Sequence, residues 1–248
     1  MTLLLHQLRA EQLIFWRSRE AAVFIFIFPL LLFLLLGSVY EDEIDGDPAA
    51  SVLLAGMLGY GVANTAFGGL AITLVLRREY AILKRIRSTP LPPALYFASV
   101  LASTLLVFAV QAVALVVLGK LLFDAEIPSR LGSLAFTLLL GAAAFAALGV
   151  ALASLIRSAE GSSAVVNVIV LPMAFVSGSF GPTDGYPAVL RAIAEALPLR
   201  HFVEIVNGIV LDGEHVWERP GAVAFLLAWG IVGLVVALRR FGWEPRER

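Results

Sequence analysis

The sequence contains no cysteine, and its three histidines, His6, His201 and His215, lie far apart along the chain. Without cysteine the protein has no disulfide bonds, no thiolate nucleophile and no zinc-thiolate or iron-sulfur centre. The histidines do not form a His-Glu-x-x-His motif, the spacing with which one helix presents two ligands to zinc. We therefore expect no structural or catalytic metal site.

Motifs for nucleotide binding and hydrolysis are also missing. The chain has no Gly-x4-Gly-Lys-Ser/Thr loop, no Gly-x-Gly-x-x-Gly turn and no Gly-x-Ser-x-Gly elbow. We expect that the chain itself binds no cofactor and is not an enzyme. Charged residues make up 15% of the chain and the net charge is -1, so we expect no basic surface for nucleic acid.

Hydrophobic residues are abundant instead: they make up 60% of the 248 residues, and the mean hydropathy is +0.90. A soluble domain has about 45–50% apolar residues and about 25% charged residues, so these values indicate a membrane protein rather than a soluble protein with buried helices. Apolar segments that predict transmembrane helices lie at 21–40, 50–76, 94–122, 131–156, 162–176 with a few flanking residues, and 220–238. The predicted fold class is therefore an all-α integral membrane protein with six spans.

The distribution of charge predicts the orientation of these spans. Most lysines and arginines lie in the segments 1–20, 77–93, 157–161 and 239–248, whereas most acidic residues, including the run at 41–47, lie in the others. Lys and Arg are retained on the cytoplasmic side during membrane insertion. We therefore expect both termini to be cytoplasmic.

The basic segment between the second and third spans predicts a short helix. One side of this helix would carry a narrow apolar ridge among cations, with Glu79, Ile82, Leu83 and Ile86. Three prolines, at 90, 92 and 93, prevent the helix from continuing. Two interpretations remain open at this stage: a basic loop that anchors the chain and touches anionic lipid, or a docking surface for a cytoplasmic partner.

The long segment 177–219 predicts two amphipathic helices, at 188–197 and 199–211, each too short to cross a membrane. They would form a hairpin that dips into the outer leaflet; two helices lying flat on the membrane are the alternative. In the second helix Phe202 is apolar, whereas His201, Glu204 and Asn207 form the polar side. Two ligands are too few for a metal site, so we expect hydrogen bonds among them or contacts with Arg191 or Arg200.

Uncharged polar residues lie inside the predicted spans: Asn64 and Thr65 in the second, Gln111 in the third and Asn167 in the fifth. Each must face protein or a cavity, so it either packs between helices or lines a translocation pathway. Phe28 belongs to a set of phenylalanines in the first span that would face either a greasy substrate or lipid.

Three motifs in order resemble those of type-2 ATP-binding-cassette (ABC) transporter permeases. The resemblance extends over essentially the whole chain, including its length and number of spans. The matching residues are Phe15-Trp16-Arg17-Ser18-Arg19-Glu20 before an apolar run with Phe28-Pro29-Leu30, then Arg78-Glu79 followed by Leu83-Lys84-Arg85-Ile86-Arg87-Ser88-Thr89-Pro90-Leu91, and finally Ser177-Gly178, Pro182, Pro187, Pro198-Leu199, His201 and Asn207-Gly208. The family commonly has Arg or Gln in place of Asn207.

The resemblance implies a single permease domain, 1–248, in the cytoplasmic membrane of a prokaryote. It would pair with a second permease subunit, as a homodimer or heterodimer, on two cytoplasmic ATPase subunits that bind ATP and Mg. The basic loop would be the coupling helix, in which Ile82, Leu83 and Ile86 fill a groove on the ATPase while Arg85 or Arg87 makes polar contacts. Residues 1–20 would form an interfacial helix, with a plain surface helix as the alternative, and 239–248 a cytoplasmic tail.

The resemblance also implies that the segment 177–219 is a re-entrant outer gate, with His201, Phe202, Glu204 and Asn207 on its second helix. Possible pathway-lining residues are Phe28, Asn64, Gln111 and Asn167. The cargo of an exporter with apolar spans would be amphipathic or lipid-like: a drug, a natural product, a lipid or a lipid-linked glycan. The main alternative is a stand-alone secondary carrier or channel; an intramembrane enzyme has no visible catalytic residues.

Overall fold

The computed structural model describes residues 2–40, 43–44, 46–183 and 185–244. Residues 41, 42 and 45 of the acidic run, and 245–248 of the predicted tail, lie outside the described residues. The helices are α1 Thr2–Arg17, α2 Arg19–Val39, α3 Ala49–Glu79, α4 Ile82–Arg87, α5 Pro93–Phe123, α6 Leu131–Leu155, α7 Ser162–Val176, α8 Ala188–Glu195, α9 Pro198–Val210 and α10 Pro220–Arg240. A two-residue antiparallel ladder, β1 Glu43–Ile44 with β2 Asp47–Pro48, joins α2 to α3, and a 3-10 turn, Val216–Glu218, precedes α10.

Among the described residues, five helices are long and apolar enough to cross a membrane: α2, α3, α5, α6 and α10. They confirm five of the predicted spans, with ends that differ from the predicted ones by at most three residues. The fifth predicted span is α7, which has the predicted bounds but only 15 residues. A helix of that length rises about 22 Å, less than the hydrocarbon thickness of about 30 Å.

The long helix α3 lies at the centre of the bundle, with most of its residues buried, whereas few residues of α2 and α10 are buried. Small residues let α6 approach its neighbours closely. A Cβ at Gly149 would lie 2.7 Å from the carbonyl oxygen of Phe67 in α3, and one at Gly233 of α10 would lie 2.7 Å from the backbone nitrogen of Leu148. The backbones of three helices therefore meet at α6.

The bundle has two chemically different ends. At the basic end, α1 runs along α5, and the amide of Gln12 donates to the carbonyl oxygen of Ser103 at 3.0 Å and to its hydroxyl at 2.8 Å. This end also contains α4 and the segment after α10. The opposite end contains the β1–β2 ladder, the start of α6 and the turn before α10. These two ends hold the candidate sites.

Candidate coupling helix and outer hairpin

The short helix α4 forms in the basic segment, but a turn separates it from α3. Ala81 has a left-handed backbone conformation with φ of 55°, so the chain changes direction between Glu79 and Ile82. Glu79 is therefore the last residue of α3, and the prediction that it shares a side of the short helix with Ile82, Leu83 and Ile86 is wrong.

The apolar residues of α4 also divide between the interior and the surface. Leu83 is 0% exposed and packs in the core of this chain, and Ile86 is half-buried against it. The prediction that Leu83 faces a partner is therefore wrong, because its side chain is already enclosed. Ile82 is 39% exposed. It shares the surface of α4 with the exposed cations Lys84, Arg85 and Arg87.

The outer segment folds into the two predicted helices, α8 and α9. The apolar side of α9 is buried along its whole length: Phe202, Ile205, Val206, Ile209 and Val210 all lie in the core. The ring of Phe202 meets that of Phe145, near the middle of α6, with centroids 6.2 Å apart. The residues of α9 that begin the helix thus reach halfway into the bundle, and its end returns to the turn before α10.

The polar side of α9 has different partners from those predicted. His201 places Nε2 2.9 Å from the carbonyl oxygen of Glu195, and its Nδ1 lies 3.7 Å from Glu204. Glu204 pairs with Arg219 at 3.6 Å rather than with Arg191 or Arg200. Among the described residues His201 and Glu204 are neighbours, but at 3.7 Å they are too far apart for the predicted hydrogen bond.

Arg200 and Asn207 also lie near this polar side of α9. Arg200 donates to the hydroxyl of Thr183 at 3.3 Å, which ties the start of α9 to the loop before α8. The side-chain oxygen of Asn207 is buried and has no hydrogen-bond partner among the described residues. The hairpin therefore contains one buried acceptor that its own fold does not satisfy.

Arg219 lies at the end of the bundle opposite α4, and sequence analysis assigned it no role. Its Nε donates to Glu214 at 2.5 Å, and its Nη2 lies 3.2 Å from Asp212. The hydrogen bond and the positive charge of Arg219 lower the pKa of Glu214, against a smaller opposing effect of desolvation. These contacts fix the turn between α9 and α10.

The buried amides of α3 and α5 support the first span. Gln111 is 0% exposed, and its amide nitrogen donates to the carbonyl oxygens of Ile25 at 2.8 Å and Phe26 at 3.1 Å. Its own oxygen accepts from Thr65 at 3.1 Å. Lining a pathway is therefore the wrong alternative for Gln111, because all of its bonds go to neighbouring helices.

A proline in α2 leaves one backbone carbonyl group without its helical donor. Residues Ala22–Ile27 of α2 form a π-helical segment, in which Phe28 donates to Val23. The next carbonyl in this pattern, that of Phe24, meets Pro29, which has no N–H group. Asn64 donates to this carbonyl oxygen at 2.9 Å. Asn64 thus also packs between helices.

The two remaining pathway candidates lie apart from this network. Phe28 is partly buried and its ring faces Tyr60, with centroids 6.3 Å apart. Asn167 is exposed on α7, next to the exposed Val168. The structure therefore brings Asn64 and Gln111 together against α2, whereas the ring of Phe28 contacts Tyr60 and Asn167 lies on the exposed side of α7.

A model of the ABC-2 type transporter family matches residues 2–211. The chain belongs to this family. It therefore provides the membrane subunit of an ABC transporter, a multi-pass component that is not itself the enzyme.

Similar proteins are transport permeases from bacteria. The chain is 23% identical over 239 residues to the transport permease YvfS of Bacillus subtilis (strain 168), covering 96% of both proteins. It is 24% identical over 172 residues to the inner membrane transport permease YhhJ of Escherichia coli (strain K12), which covers 68% of this chain and 45% of YhhJ. It is 28% identical over 92 residues to the linearmycin resistance permease protein LnrN of Bacillus subtilis (strain 168), which covers 37% of this chain and 24% of LnrN.

In this ABC-2 subunit the end of α3 is fastened to three other helices, and sequence analysis missed the residues responsible. Arg78 is 1% exposed and donates to the carbonyl oxygens of Ala153 at 2.8 Å and Ile156 at 2.5 Å, which end α6. Arg77 pairs with Glu11 of α1 and donates to the hydroxyl of Tyr96 in α5 at 2.8 Å. The sequence signal for these contacts was the pair Arg77-Arg78 at the end of a span. Such a pair is also typical of charges that hold a loop on the cytoplasmic side.

The segment after α10 also closes on the basic end. Trp243 packs its ring against Phe97 of α5 with centroids 5.3 Å apart, and Phe241 lies 5.1 Å from the same ring. Two aromatic residues just beyond the last apolar run were the signal for this contact. The predicted tail is therefore attached to α5 through Phe241 and Trp243.

Proposed function

We propose that this chain is the permease subunit of an exporter that moves an amphipathic or lipid-like molecule across the cytoplasmic membrane of a prokaryote. Two separate ATPase subunits on the cytoplasmic side bind ATP and Mg and hydrolyse the nucleotide. A second permease subunit, identical or different, completes the pathway. The chain contributes one permease domain, 1–248, which works by changing conformation.

The surface of α4 is the observation that carries this proposal. Ile82 stands exposed among Lys84, Arg85 and Arg87. An apolar residue surrounded by cations fits a groove with an apolar floor and an acidic rim on a cytoplasmic partner. Leu83 supports the helix from inside, so the ATPase contact consists of Ile82 and the neighbouring cations, with Ile86 at its edge.

The attachments of α3 explain how force on α4 would reach the rest of the bundle. Closure of the ATPases on ATP would displace α4, which follows α3 after a single turn. Arg78 would carry this displacement to the end of α6, and Arg77 would carry it to α1. The two resulting states must differ in their affinity for the cargo, because a ligand that binds both equally cannot be coupled to the cycle.

The membrane arrangement that we propose has six spans and both termini in the cytoplasm, with α1 lying at the membrane surface. The sixth crossing is made by α7 together with the loop that follows it. The α8–α9 hairpin is re-entrant from the outer side, and Phe202 at the middle of α6 supports this proposal. Such a hairpin is tolerated in hydrocarbon because the surrounding helices enclose it. His201, Phe202, Glu204 and Asn207 then belong to the outer gate.

The cargo class is proposed from the apolar surfaces of the subunit. Phe24 and Leu35 of α2, and Val168 and Phe175 of α7, are large hydrophobic residues that lie exposed on this chain. A pathway bounded by such faces suits a molecule with a large apolar part. The relative LnrN is named as a resistance permease protein, and resistance agrees with outward transport of a toxic compound.

Co-purification with the cognate ATPase tests the coupling role. We expect Ile82→Asp and Arg85→Gln to reduce the amount of ATPase that co-purifies with the permease, while membrane insertion is unchanged. The matched control is Arg157→Gln, which removes an exposed arginine from another loop at the same end. ATPase retention by both α4 variants, or equal loss in the control, would contradict the coupling role. Transport by the chain alone in vesicles without nucleotide would favour a carrier or channel.

A further inference from the structure

A groove of about 720 Å³ opens at the end of the bundle opposite α4, and none of the predicted site residues contributes to it. It lies between the first turns of α6 and the turn that precedes α10. The residues that line it are Ser129, Arg130, Leu131, Gly132, Ser133, Phe136, His215, Val216 and Trp217. Two segments that are 82 residues apart in sequence therefore form one concave surface.

One wall of the groove is built around His215. Its Nδ1 lies 3.1 Å from the hydroxyl of Ser133, which is only 8% exposed. Its ring stacks on Trp217, with centroids 4.2 Å apart and planes 12° from parallel. When Ser133 donates to Nδ1, Nε2 of the neutral imidazole carries the hydrogen and is a donor. The histidine is thus held in a fixed orientation with one nitrogen left for a ligand.

The same wall offers positive charge and backbone donors. Arg130 precedes α6 and is exposed, and its Nε donates to the carbonyl oxygen of Gly213 at 3.4 Å. The N–H groups of Leu131, Gly132 and Ser133 have no acceptor within their own helix, because they belong to its first turn. Guanidinium, imidazole and first-turn N–H groups together suit a phosphate oxygen.

Carboxylates that neighbour the lining residues in sequence limit which lipid headgroup would fit the groove. Asp212 and Glu214 are next to Gly213, and both pair with Arg219. Arg219 also pairs with Glu204, so one positive charge faces three carboxylates and a net negative charge remains beside the groove. Glu218 follows Trp217 and is exposed. A carboxylate at that position favours a headgroup that carries a cation beside its phosphate.

The groove also has large apolar residues. Phe136 is 56% exposed and Trp217 is 66% exposed. Phe136 follows the first residue of α6 by five residues, which corresponds to about 7.5 Å along the helix toward the middle of the bundle. Exposed indole rings are favoured at the membrane interface. A molecule in this groove would therefore place its polar part at Arg130 and its apolar part along Phe136.

We propose that this groove binds a phospholipid, with the phosphate at Arg130, His215 and the start of α6, and an acyl chain along Phe136. A zwitterionic phosphoethanolamine headgroup fits the groove better than an anionic phosphoglycerol headgroup, because its ammonium group would face Glu218. The site needs only that the chain spans a membrane, so it does not depend on the ATPase or on the cargo.

Native mass spectrometry of the delipidated full chain in detergent tests this proposal, with no ATPase and no nucleotide present. The probes are phosphatidylethanolamine, phosphatidylglycerol, diacylglycerol and glycerophosphoethanolamine, which has no acyl chains. We expect one phosphatidylethanolamine per chain to bind most tightly. Arg130→Gln should weaken this binding about tenfold, the ratio that corresponds to one charge-assisted hydrogen bond.

Two further variants make the test specific. Trp217→Ala should also weaken the binding of phosphatidylethanolamine, whereas Lys120→Gln, which removes an exposed cation at the same end, should leave it unchanged. Equal binding by wild type and Arg130→Gln, or by diacylglycerol and phosphatidylethanolamine, would overturn the phosphate site. Equal binding of glycerophosphoethanolamine would overturn the lipid and indicate a site for a soluble phosphate ester. Preference for phosphatidylglycerol would overturn the role of Glu218.

Discussion

Neutralising Glu11 should loosen the amino-terminal helix from the bundle. Glu11 and Arg77 form a two-pronged ion pair, in which Nη1 lies 3.1 Å from Oε1 and Nη2 lies 2.5 Å from Oε2. The two side chains are only 4% and 11% exposed. Glu11→Gln keeps the shape of the side chain but leaves the guanidinium of Arg77 without its counter-charge.

The magnitude follows from this burial. Removing one partner of a buried ion pair costs about 3–5 kcal/mol, because the other charge stays in a poorly solvated place. The bond from Arg77 to the hydroxyl of Tyr96 remains in the variant, so we expect a loss near the lower value, about 3 kcal/mol. The double variant Glu11→Gln/Arg77→Gln removes both charges. Its loss in free energy of unfolding should be about 2 kcal/mol smaller than the sum of the two single losses.

The assay is unfolding of the purified protein in mild detergent by titration with sodium dodecyl sulfate, followed by circular dichroism. The free energy of unfolding is compared among the wild type, both single variants and the double variant. Glu20→Gln is the control, because Glu20 is an exposed acid near the same end, and its effect should stay below about 0.5 kcal/mol. A loss below about 1 kcal/mol for Glu11→Gln, with additive single effects, would refute the reasoning.

Two further predictions concern the amide network and the turn before α10. Gln111→Leu removes three hydrogen bonds and should lower the free energy of unfolding by about 2 kcal/mol. The control Asn167→Leu, on the exposed side of α7, should change it by less than about 0.5 kcal/mol. Equal effects of the two variants would contradict the hydrogen-bond network. Arg219 lowers the pKa of Glu214, so their pair stabilises the fold above the ordinary pKa of a glutamate and loses this effect as the pH falls through the lowered value. The melting temperature of the wild type should therefore fall more between about pH 6 and about pH 3 than that of Arg219→Gln, and parallel curves would count against the pair.

The long spans could be predicted from sequence because length and hydrophobicity are local properties. Five runs that are long enough to cross a bilayer became five long helices, and the two amphipathic patterns of the outer segment became α8 and α9. The prediction that Glu79 and Leu83 share one face of a helix was wrong. That prediction assumed an uninterrupted helix, but Ala81 turns the chain in a left-handed conformation that alanine rarely adopts, so no sequence signal marked the turn.

Contacts between residues far apart in sequence could not be predicted from local patterns either. Arg77 reaches Glu11 across 66 residues, and Arg78 reaches Ile156 across 78, so neither pairing is visible before the helices are packed. The role of Gln111 was one of two open alternatives, and the packing of α2 decided between them. Pro29 was a sequence signal for the role of Asn64, because a proline in a span leaves a carbonyl group, here that of Phe24, that another residue must satisfy.

The dependence of α2 on Gln111 has a consequence for how the protein is made. Phe26 leaves the ribosome 85 residues before the amide that bonds to its carbonyl oxygen. Until α5 is synthesised, the first helix lacks the amide of Gln111, which donates to the carbonyl oxygens of Ile25 and Phe26, and only Asn64 of α3 bonds to this segment. Stable release of that helix into the bilayer should therefore wait for the third long helix, which makes α2, α3 and α5 a single unit of membrane assembly.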